Sequence, residues 1–135
     1  MELSPSMANR LANSSLGAVP AAAGVAYAAQ ASAGFARLAA CFAVIAFVVL
    51  AIRGYRLGVT CEHGRMVIRG YLGTRVITRE CITEITDFPA ARWTAHTGRK
   101  RWTPITAFMT SPSETSATRL HKDRATKKLR RWAGH

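Results

Sequence analysis

Hydrophobic and polar residues are distributed very unevenly along this chain. Residues 11–36 carry no charge, and residues 38–52 are entirely apolar. Within residues 34–52, Arg37 is the single charged residue, and apolar side chains occur on every helical face instead of along one stripe. Nineteen residues at about 1.5 Å each nearly span a hydrocarbon core of about 30 Å. The pattern therefore predicts a transmembrane helix over residues 34–52, and it disfavours the buried core helix of a soluble protein.

The residues before this helix form an Ala-rich N-terminal arm, residues 1–33. Residues 16–33 are uncharged but consist mostly of small side chains, which leaves two alternatives open. The stretch is either a weak first span that forms a tight hairpin with the second, or a signal-like segment with a cleavage motif at Ala26-Tyr27-Ala28. We expect residues 34–52 to be the one clear transmembrane span. We also expect the first dozen residues to be disordered.

Beyond Arg53 the apolar positions alternate with polar ones, which is typical of β-strands. The alternation and the Gly-containing turns at Glu62-His63-Gly64 and Leu72-Gly73-Thr74 predict strands over residues 55–61, 65–71 and 75–79.

A second group of elements follows these three strands. Ile82, Ile85 and Phe88 recur at a spacing of three, which fits either a short helical turn or a twisted strand. Residues 91–97 and 100–105 flank Thr97-Gly98-Arg99 as a further hairpin. Pro104 indicates an edge strand or a strand end, because proline cannot donate a backbone hydrogen bond.

The last part of the chain has a helical pattern. Ser111-Pro112-Ser113-Glu114 fits a capping box, with Ser111 as the cap and Glu114 reaching back to it. The helix is expected to run from about Pro112 to Trp132 and to end at Gly134. Its apolar stripe is predicted to consist of Ala117, Leu120, Leu129 and Trp132.

Together these patterns predict a membrane-anchored α+β protein. One N-terminal transmembrane helix is followed by a small antiparallel β-domain, residues 53–110, and by a basic amphipathic C-terminal helix, residues 111–135. About 80 residues after the span are enough for a modest core.

The β-domain resembles short bacterial membrane proteins that carry a pleckstrin-homology-like (PH-like) domain. The resemblance covers about residues 53–108 and is carried by short segments: R-L-G-V-T at 56–60, G-R-M-V-I-R-G at 64–70, T-R-V-I at 74–77, I-T-E-I at 82–85 and G-R-K-R-W-T-P-I at 98–105. It implies a PH-like β-barrel or sheet, a fold that serves as an adaptor for proteins and lipids. Two departures are visible: Glu80-Cys81 replaces an aromatic position, and the region is short for a complete seven-stranded barrel.

Charge is concentrated after the apolar segment. The chain has a net charge of +12, with 19 Lys and Arg residues against seven acidic residues, and 17 of those cations follow residue 52. Arg53, Arg56, Arg65 and Arg69 come soon after the segment, whereas the twenty residues before Gly34 contain no Lys or Arg. The positive-inside rule then predicts a single-pass protein of the cell membrane with a cytoplasmic C-terminal domain.

The sequence contains no pattern that indicates catalysis, a cofactor or a metal. Cys41, Cys61 and Cys81 lack metal-ligand spacing and fit small, reduced, apolar residues. The four histidines are widely separated, and we expect them to be solvated. No Gly-rich phosphate loop or nucleophile motif occurs. We therefore expect a protein that is not an enzyme.

Two basic segments are the candidate binding sites. Arg99, Lys100 and Arg101 lie in the predicted hairpin beside two tryptophans, and the C-terminal helix contains Lys127, Lys128, Arg130 and Arg131. Such segments suit anionic lipid headgroups or a second membrane protein as partner. The alternative is a membrane-tethered nucleic-acid-binding domain, since basic side chains with nearby aromatics can also bind phosphates and stack on bases. We consider nucleic acid the less favoured partner, because no nucleic-acid-binding motif occurs.

Overall fold

A computed structural model describes residues 1–134 and divides the chain into two compact units. One unit is the helical region Met7–Arg56. The other combines residues 1–6 with the chain from Leu57 onward. From here on, the β-domain means this unit, which is larger than the predicted residues 53–110. His135, which the sequence predicts to be solvated, lies outside the described residues.

The helical unit is a hairpin of two long helices, α1 (Met7–Gln30) and α2 (Gly34–Tyr55), packed against each other. The helix α2 has 22 residues and is the one helix among residues 1–134 that is long and apolar enough by composition to cross a membrane. It contains the predicted segment 34–52 and extends three residues further. Its side chains are mostly exposed, with 6% of its most apolar window buried.

The expectation that the first dozen residues are disordered is wrong. Glu2–Leu3 form strand β1, and α1 begins at Met7. A strand of two residues has no detectable periodicity of its own. It is ordered by pairing with a distant strand, in the register Glu2↔Thr60 and Leu3↔Val59, and Leu3 is buried in the core.

Four strands form the first antiparallel sheet, in the spatial order β1-β2-β3-β4. The added strands are β2 (Gly58–Glu62), β3 (Arg65–Arg69) and β4 (Thr74–Thr78), each close to its predicted position. The turn between β2 and β3 requires Gly64, whose φ of 81° is strained for any residue with a side chain.

Three strands form the second antiparallel sheet, in the order β5-β6-β7: β5 (Ile82–Ile85), β6 (Ala90–Thr94) and β7 (Lys100–Pro104). Of the two alternatives for Ile82 and Ile85, the structure has the strand, and a single helical turn, Arg79–Cys81, precedes it. An irregularity between Ile82 and Glu84 lets Ile82 and Ile85 both face the core. Pro104 ends an edge strand, as predicted.

The C-terminal helix α3 (Ser116–Ala133) begins four residues later than the predicted start at Pro112. The prediction that Ser111 and Glu114 form a capping box is therefore wrong. Thr115 occupies the cap position, but its hydroxyl pairs with the Thr118 hydroxyl and makes no capping hydrogen bond to the helix backbone. Residues 111–114 form a turn in which the Glu114 amide donates to the Ser111 carbonyl. The Glu114 carboxylate is instead held by Lys122. The predicted end is correct, since Gly134 adopts a φ of 94°.

The buried stripe of α3 also differs from the predicted one. Leu129 is fully buried and Trp132 packs on the core, as expected, but Ala117 and Leu120 are exposed. Their places are taken by Ala125 and by the buried side chain of Lys122. The helix packs on β5 and on the turn Thr106–Phe108.

One hydrophobic core joins the two sheets and α3. The first sheet contributes alternating inward residues, the second contributes Ile82, Ile85 and Ala91, and α3 contributes Leu129. The largest fully buried side chains are Phe108, Leu57, Met66, Ile77, Ile105, Leu129 and Val59. Burial at about 25 cal/mol per Å² of apolar surface makes this core the main source of stability of the β-domain.

Candidate anion-binding surfaces

The helix α3 presents a basic face beside the N-terminal strand. Residues Glu2, Leu3 and Ser4 form one side of a groove of about 440 Å³. The other side is formed by side chains of α3, namely His121, Arg124, Ala125, Lys127, Lys128 and Arg131. We call this cavity the basic groove. His121 Nε2 lies 3.1 Å from the Ser4 carbonyl oxygen, which connects its two sides.

The spacing of these residues explains why they share one face. His121, Arg124, Lys128 and Arg131 follow each other at intervals of three, four and three, so their side chains lie above one another on a helix. All four are exposed. Glu2 is the one carboxylate in the lining, and it lies 3.8 Å from Arg69 as an exposed pair. The groove therefore has a surplus of positive charge that suits an anion.

The four predicted cations of α3 are divided between two sides of the helix. Lys127, Lys128 and Arg131 line the basic groove, as the sequence suggested for a shared surface. Arg130 does not. Its Nη2 donates to Asp87 Oδ1 at 2.5 Å and its Nε donates to the Ile85 carbonyl at 3.2 Å. Arg130 thereby attaches α3 to the second sheet and is largely occupied within the protein.

The hairpin of β6 and β7 forms a second basic surface around a cavity of about 340 Å³. Lys100 and Arg101 line it, whereas Arg99 lies in the exposed turn outside the lining. Arg92 also lines it and forms an exposed ion pair with Glu84 at 3.4 Å. The Arg101 guanidinium lies 5.9 Å from the centre of the Trp93 ring, a cation–π arrangement.

An exposed aromatic pair joins Trp102 of this hairpin to Phe88 in the connection that precedes β6. The rings of Phe88 and Trp102 are stacked, with centroids 6.3 Å apart and planes 13° apart. More than half of each residue is exposed, at 55% and 52%. The hairpin cavity and the basic groove share no lining residue, so the two predicted basic segments do not form one site.

Sequence reasoning missed several groove residues. Arg124 and His121 belong to the groove, and their spacing relative to Lys128 is the signal that could have identified them. Leu3 and Ser4 could not be identified, because their position depends on pairing with β2.

The charged side chain of Lys122 is buried. Its Nζ donates to Glu114 Oε1 and to the Met109 carbonyl. The two side chains are only 5% and 6% exposed, whereas the ion pairs of Glu62, Glu2, Glu84 and Asp87 each have at least one widely exposed partner. This pair connects α3 to the segment before it and is a structural feature of the β-domain.

Chemistry beyond charge is sparse in the described structure. Among residues 1–134 no group of three metal-ligating side chains lies close enough to hold a metal ion. Burial raises the pKa of the Cys61 thiol from 9.0 to about 11, which keeps it neutral at physiological pH. Burial also raises the pKa of Tyr71. Both shifts disfavour the ionised form, so neither group is activated as a nucleophile.

Comparison of the chain with protein-family models, curated proteins and solved structures finds no significant match.

Proposed function

We propose that this chain is a non-enzymatic integral membrane protein whose α2 helix crosses the bilayer and whose β-domain binds anionic lipid headgroups through the basic groove. The observation that carries the proposal is the row of cations Arg124, Lys127, Lys128 and Arg131 around one groove. Only Glu2 opposes them there. The proposed location is the cell membrane, with the β-domain in the cytoplasm.

The membrane part of the proposal follows from the surface of α2. Its 22 residues extend about 33 Å at 1.5 Å per residue, which matches the hydrocarbon thickness. Large apolar side chains such as Phe35, Phe42 and Ile45 are more than 60% exposed. In water these side chains would form an apolar patch along the whole helix, whereas in lipid they are solvated by acyl chains.

The connection between α2 and the β-domain is short. Only Arg56 and Leu57 separate Tyr55 from Gly58, a reach of roughly 10 Å. A β-domain tethered so closely meets headgroups at a high effective concentration, and individually weak contacts then suffice. Each basic residue near an anionic surface contributes about 1 kcal/mol at low screening.

The arrangement of strands supports the resemblance to PH-like domains. The β-domain has four strands in one antiparallel sheet and three in the other, and a helix follows them. This gives seven strands in total, the number for which residues 53–110 alone are short. The additional strand is β1, which comes from before the helical hairpin. A PH-like adaptor for lipids or proteins remains our proposal for this domain.

Neutralising the groove is expected to reduce lipid binding by roughly 100-fold. A soluble variant retains residues 1–6 and 57–135, with a flexible linker of about eight residues in place of Met7–Arg56. This design keeps β1, because Leu3 and Val59 are paired neighbours in the sheet. Three groove charges are removed in the triple variant Arg124→Gln/Lys128→Gln/Arg131→Gln. At about 1 kcal/mol each, they account for the stated loss. Sedimentation with vesicles containing phosphatidylglycerol measures the affinity.

The matched control removes the same number of charges from the hairpin, as Arg99→Gln/Lys100→Gln/Arg101→Gln. We expect a loss of less than about tenfold, since these residues lie outside the groove. Circular dichroism checks that all variants retain their fold. Equal losses in both triples would show that total charge and not the groove controls binding. Absence of vesicle binding, together with DNA binding in moderate salt, would overturn the lipid proposal in favour of nucleic acid.

A partner membrane protein is the second candidate, and the exposed stack of Phe88 and Trp102 favours it. Aromatic and Arg side chains are enriched at the centres of protein interfaces. A photo-crosslinking amino acid in place of Trp102 in the full chain should then capture one specific membrane protein in cells. The control places the same amino acid at Leu72, which is 95% exposed in the turn between β3 and β4 of the other sheet. Identical crosslinking patterns from both positions would contradict this candidate.

A further inference from the structure

The pairing of β1 with β2 restricts how the chain can cross a membrane. The chain leaves the first sheet after Leu3 and returns to it at Gly58, and in between it forms only α1, α2 and short connections. Since β1 and β2 are hydrogen-bonded neighbours, Leu3 and Gly58 lie on the same side of any bilayer. A segment that starts and ends on one side crosses the membrane an even number of times.

A single crossing by α2 is incompatible with this sheet. It would place residues 1–33 on the opposite side from β2, separated by a hydrocarbon core of about 30 Å. Three residues connect Leu3 to Met7, and at about 3.5 Å each they cannot cover that thickness. If α2 spans the membrane, α1 must cross as well.

We infer that α1 is a second transmembrane helix, antiparallel to α2, and that the connection between the two helices is exposed on the outer side. The inference rests on the proposed membrane location of α2. It replaces the predicted single-pass arrangement by a two-pass hairpin with both ends of the hairpin at the cytoplasmic side. The partner of the outer surface of α1 is then the acyl chains of the bilayer.

The dimensions and surface of α1 support a span. Its 24 residues extend about 36 Å, longer than the hydrocarbon core. The apolar side chains of Leu11, Leu16, Val19 and Val25 are each more than 55% exposed and so are available to lipid. The hydroxyl of Ser15 donates to the Ala12 carbonyl at 2.6 Å, which satisfies a polar group within the helix.

The face of α1 toward α2 consists of small residues. Gly17 and Ala21 are buried, and a Cβ at Gly17 would lie 2.4 Å from the Phe47 carbonyl oxygen. A Cβ at Gly24 would lie 2.8 Å from Val44 Cγ2. Such close approach is the usual way in which transmembrane helices associate. It also explains why α1 is less apolar than α2, since small residues lower its hydropathy.

Charge within the hairpin agrees with this orientation. Arg10 lies at the same end as Tyr55, with its guanidinium 5.8 Å from the ring centre, and Arg53 and Arg56 belong to that end too. Arg37 is at the opposite end, where its Nη2 donates to the Ala31 carbonyl at 3.0 Å. The end of the hairpin near Tyr55 has three cations and the other end has one. The positive-inside rule therefore places the end near Tyr55 in the cytoplasm.

Cysteine labelling of the full chain in intact cells tests the inference. The variant Ser32→Cys reports the connection between the helices, and Glu2→Cys reports the N-terminus, where the Glu2 side chain is 64% exposed. The reagent is a membrane-impermeant maleimide, and the unsubstituted chain with its three native cysteines gives the background. We expect labelling of Ser32→Cys alone, and labelling of Glu2→Cys only after the cells are permeabilised.

The other labelling outcomes distinguish a failure of the two-pass hairpin from a failure of the proposed span by α2. Labelling of both positions in intact cells would overturn the two-pass hairpin, and a single span of α2 would then require that β1 does not pair with β2. Protection of both positions would overturn the membrane span of α2 itself. Extraction of the full chain with alkaline carbonate would then confirm that neither helix crosses.

Discussion

Replacing Glu114 with alanine is expected to destabilise the β-domain by about 3–5 kcal/mol. The reason is that the substitution leaves the ammonium group of Lys122 buried without its carboxylate partner, at 5% exposure of the Lys122 side chain. The Met109 carbonyl is the one acceptor that would remain for Lys122 Nζ in the described structure. Denaturant unfolding of the full chain in detergent, followed by tryptophan fluorescence, measures the loss.

Two control variants distinguish burial from charge. Glu84→Ala removes a carboxylate of the same charge from the exposed pair with Arg92, and it should cost no more than about 1 kcal/mol. The double variant Glu114→Leu/Lys122→Met removes both buried charges together. It should recover most of the stability, because the desolvation cost disappears with the ion pair. Equal losses for Glu114→Ala and Glu84→Ala would contradict the burial of the Lys122 pair.

Gly17→Val is expected to weaken the association of α1 with α2 by about 1–3 kcal/mol. The added Cβ would lie 2.4 Å from the Phe47 carbonyl oxygen and 2.5 Å from the Ala51 nitrogen. Both neighbours are backbone atoms of α2, so they cannot move aside as a flexible side chain could. The two helices must therefore separate locally, with the cost typical of overpacking. Titration of the full chain with SDS, followed by circular dichroism, measures the stability.

The control for this variant is Ala26→Val, which introduces the same valine side chain at an exposed position of α1. It should change the stability by less than about 0.5 kcal/mol. If Gly17→Val has as small an effect as Ala26→Val, the close packing of α1 on α2 is contradicted.

Local patterns in the sequence determined most of the regular elements. The continuous apolar run identified α2, and alternation identified β2, β3 and β4. Gly64, Gly98 and Gly134 mark positions where φ is positive, which is why the turns and the end of α3 were correctly placed. These features depend on neighbouring residues only. They can therefore be read without knowing what each element packs against.

Contacts between distant residues were decided only by the tertiary structure. β1 exists because Leu3 pairs with Val59, and two residues alone contain no strand signal. The partners of Lys122, Glu114 and Arg130 depend on how α3 packs against the segments before it. For that reason the sequence assigned Glu114 to a capping box and Arg130 to an exposed surface.

The basic groove and the number of membrane crossings also depend partly on local sequence and partly on contacts between distant residues. The sequence placed the cations on a helix and the apolar segment in a bilayer. It could not show that Ser4 lies against α3, or that β1 joins the sheet that follows α2. A charge pattern or a hydropathy pattern is a property of a local segment. A groove and an even number of crossings arise only when residues far apart in the chain are brought together by folding.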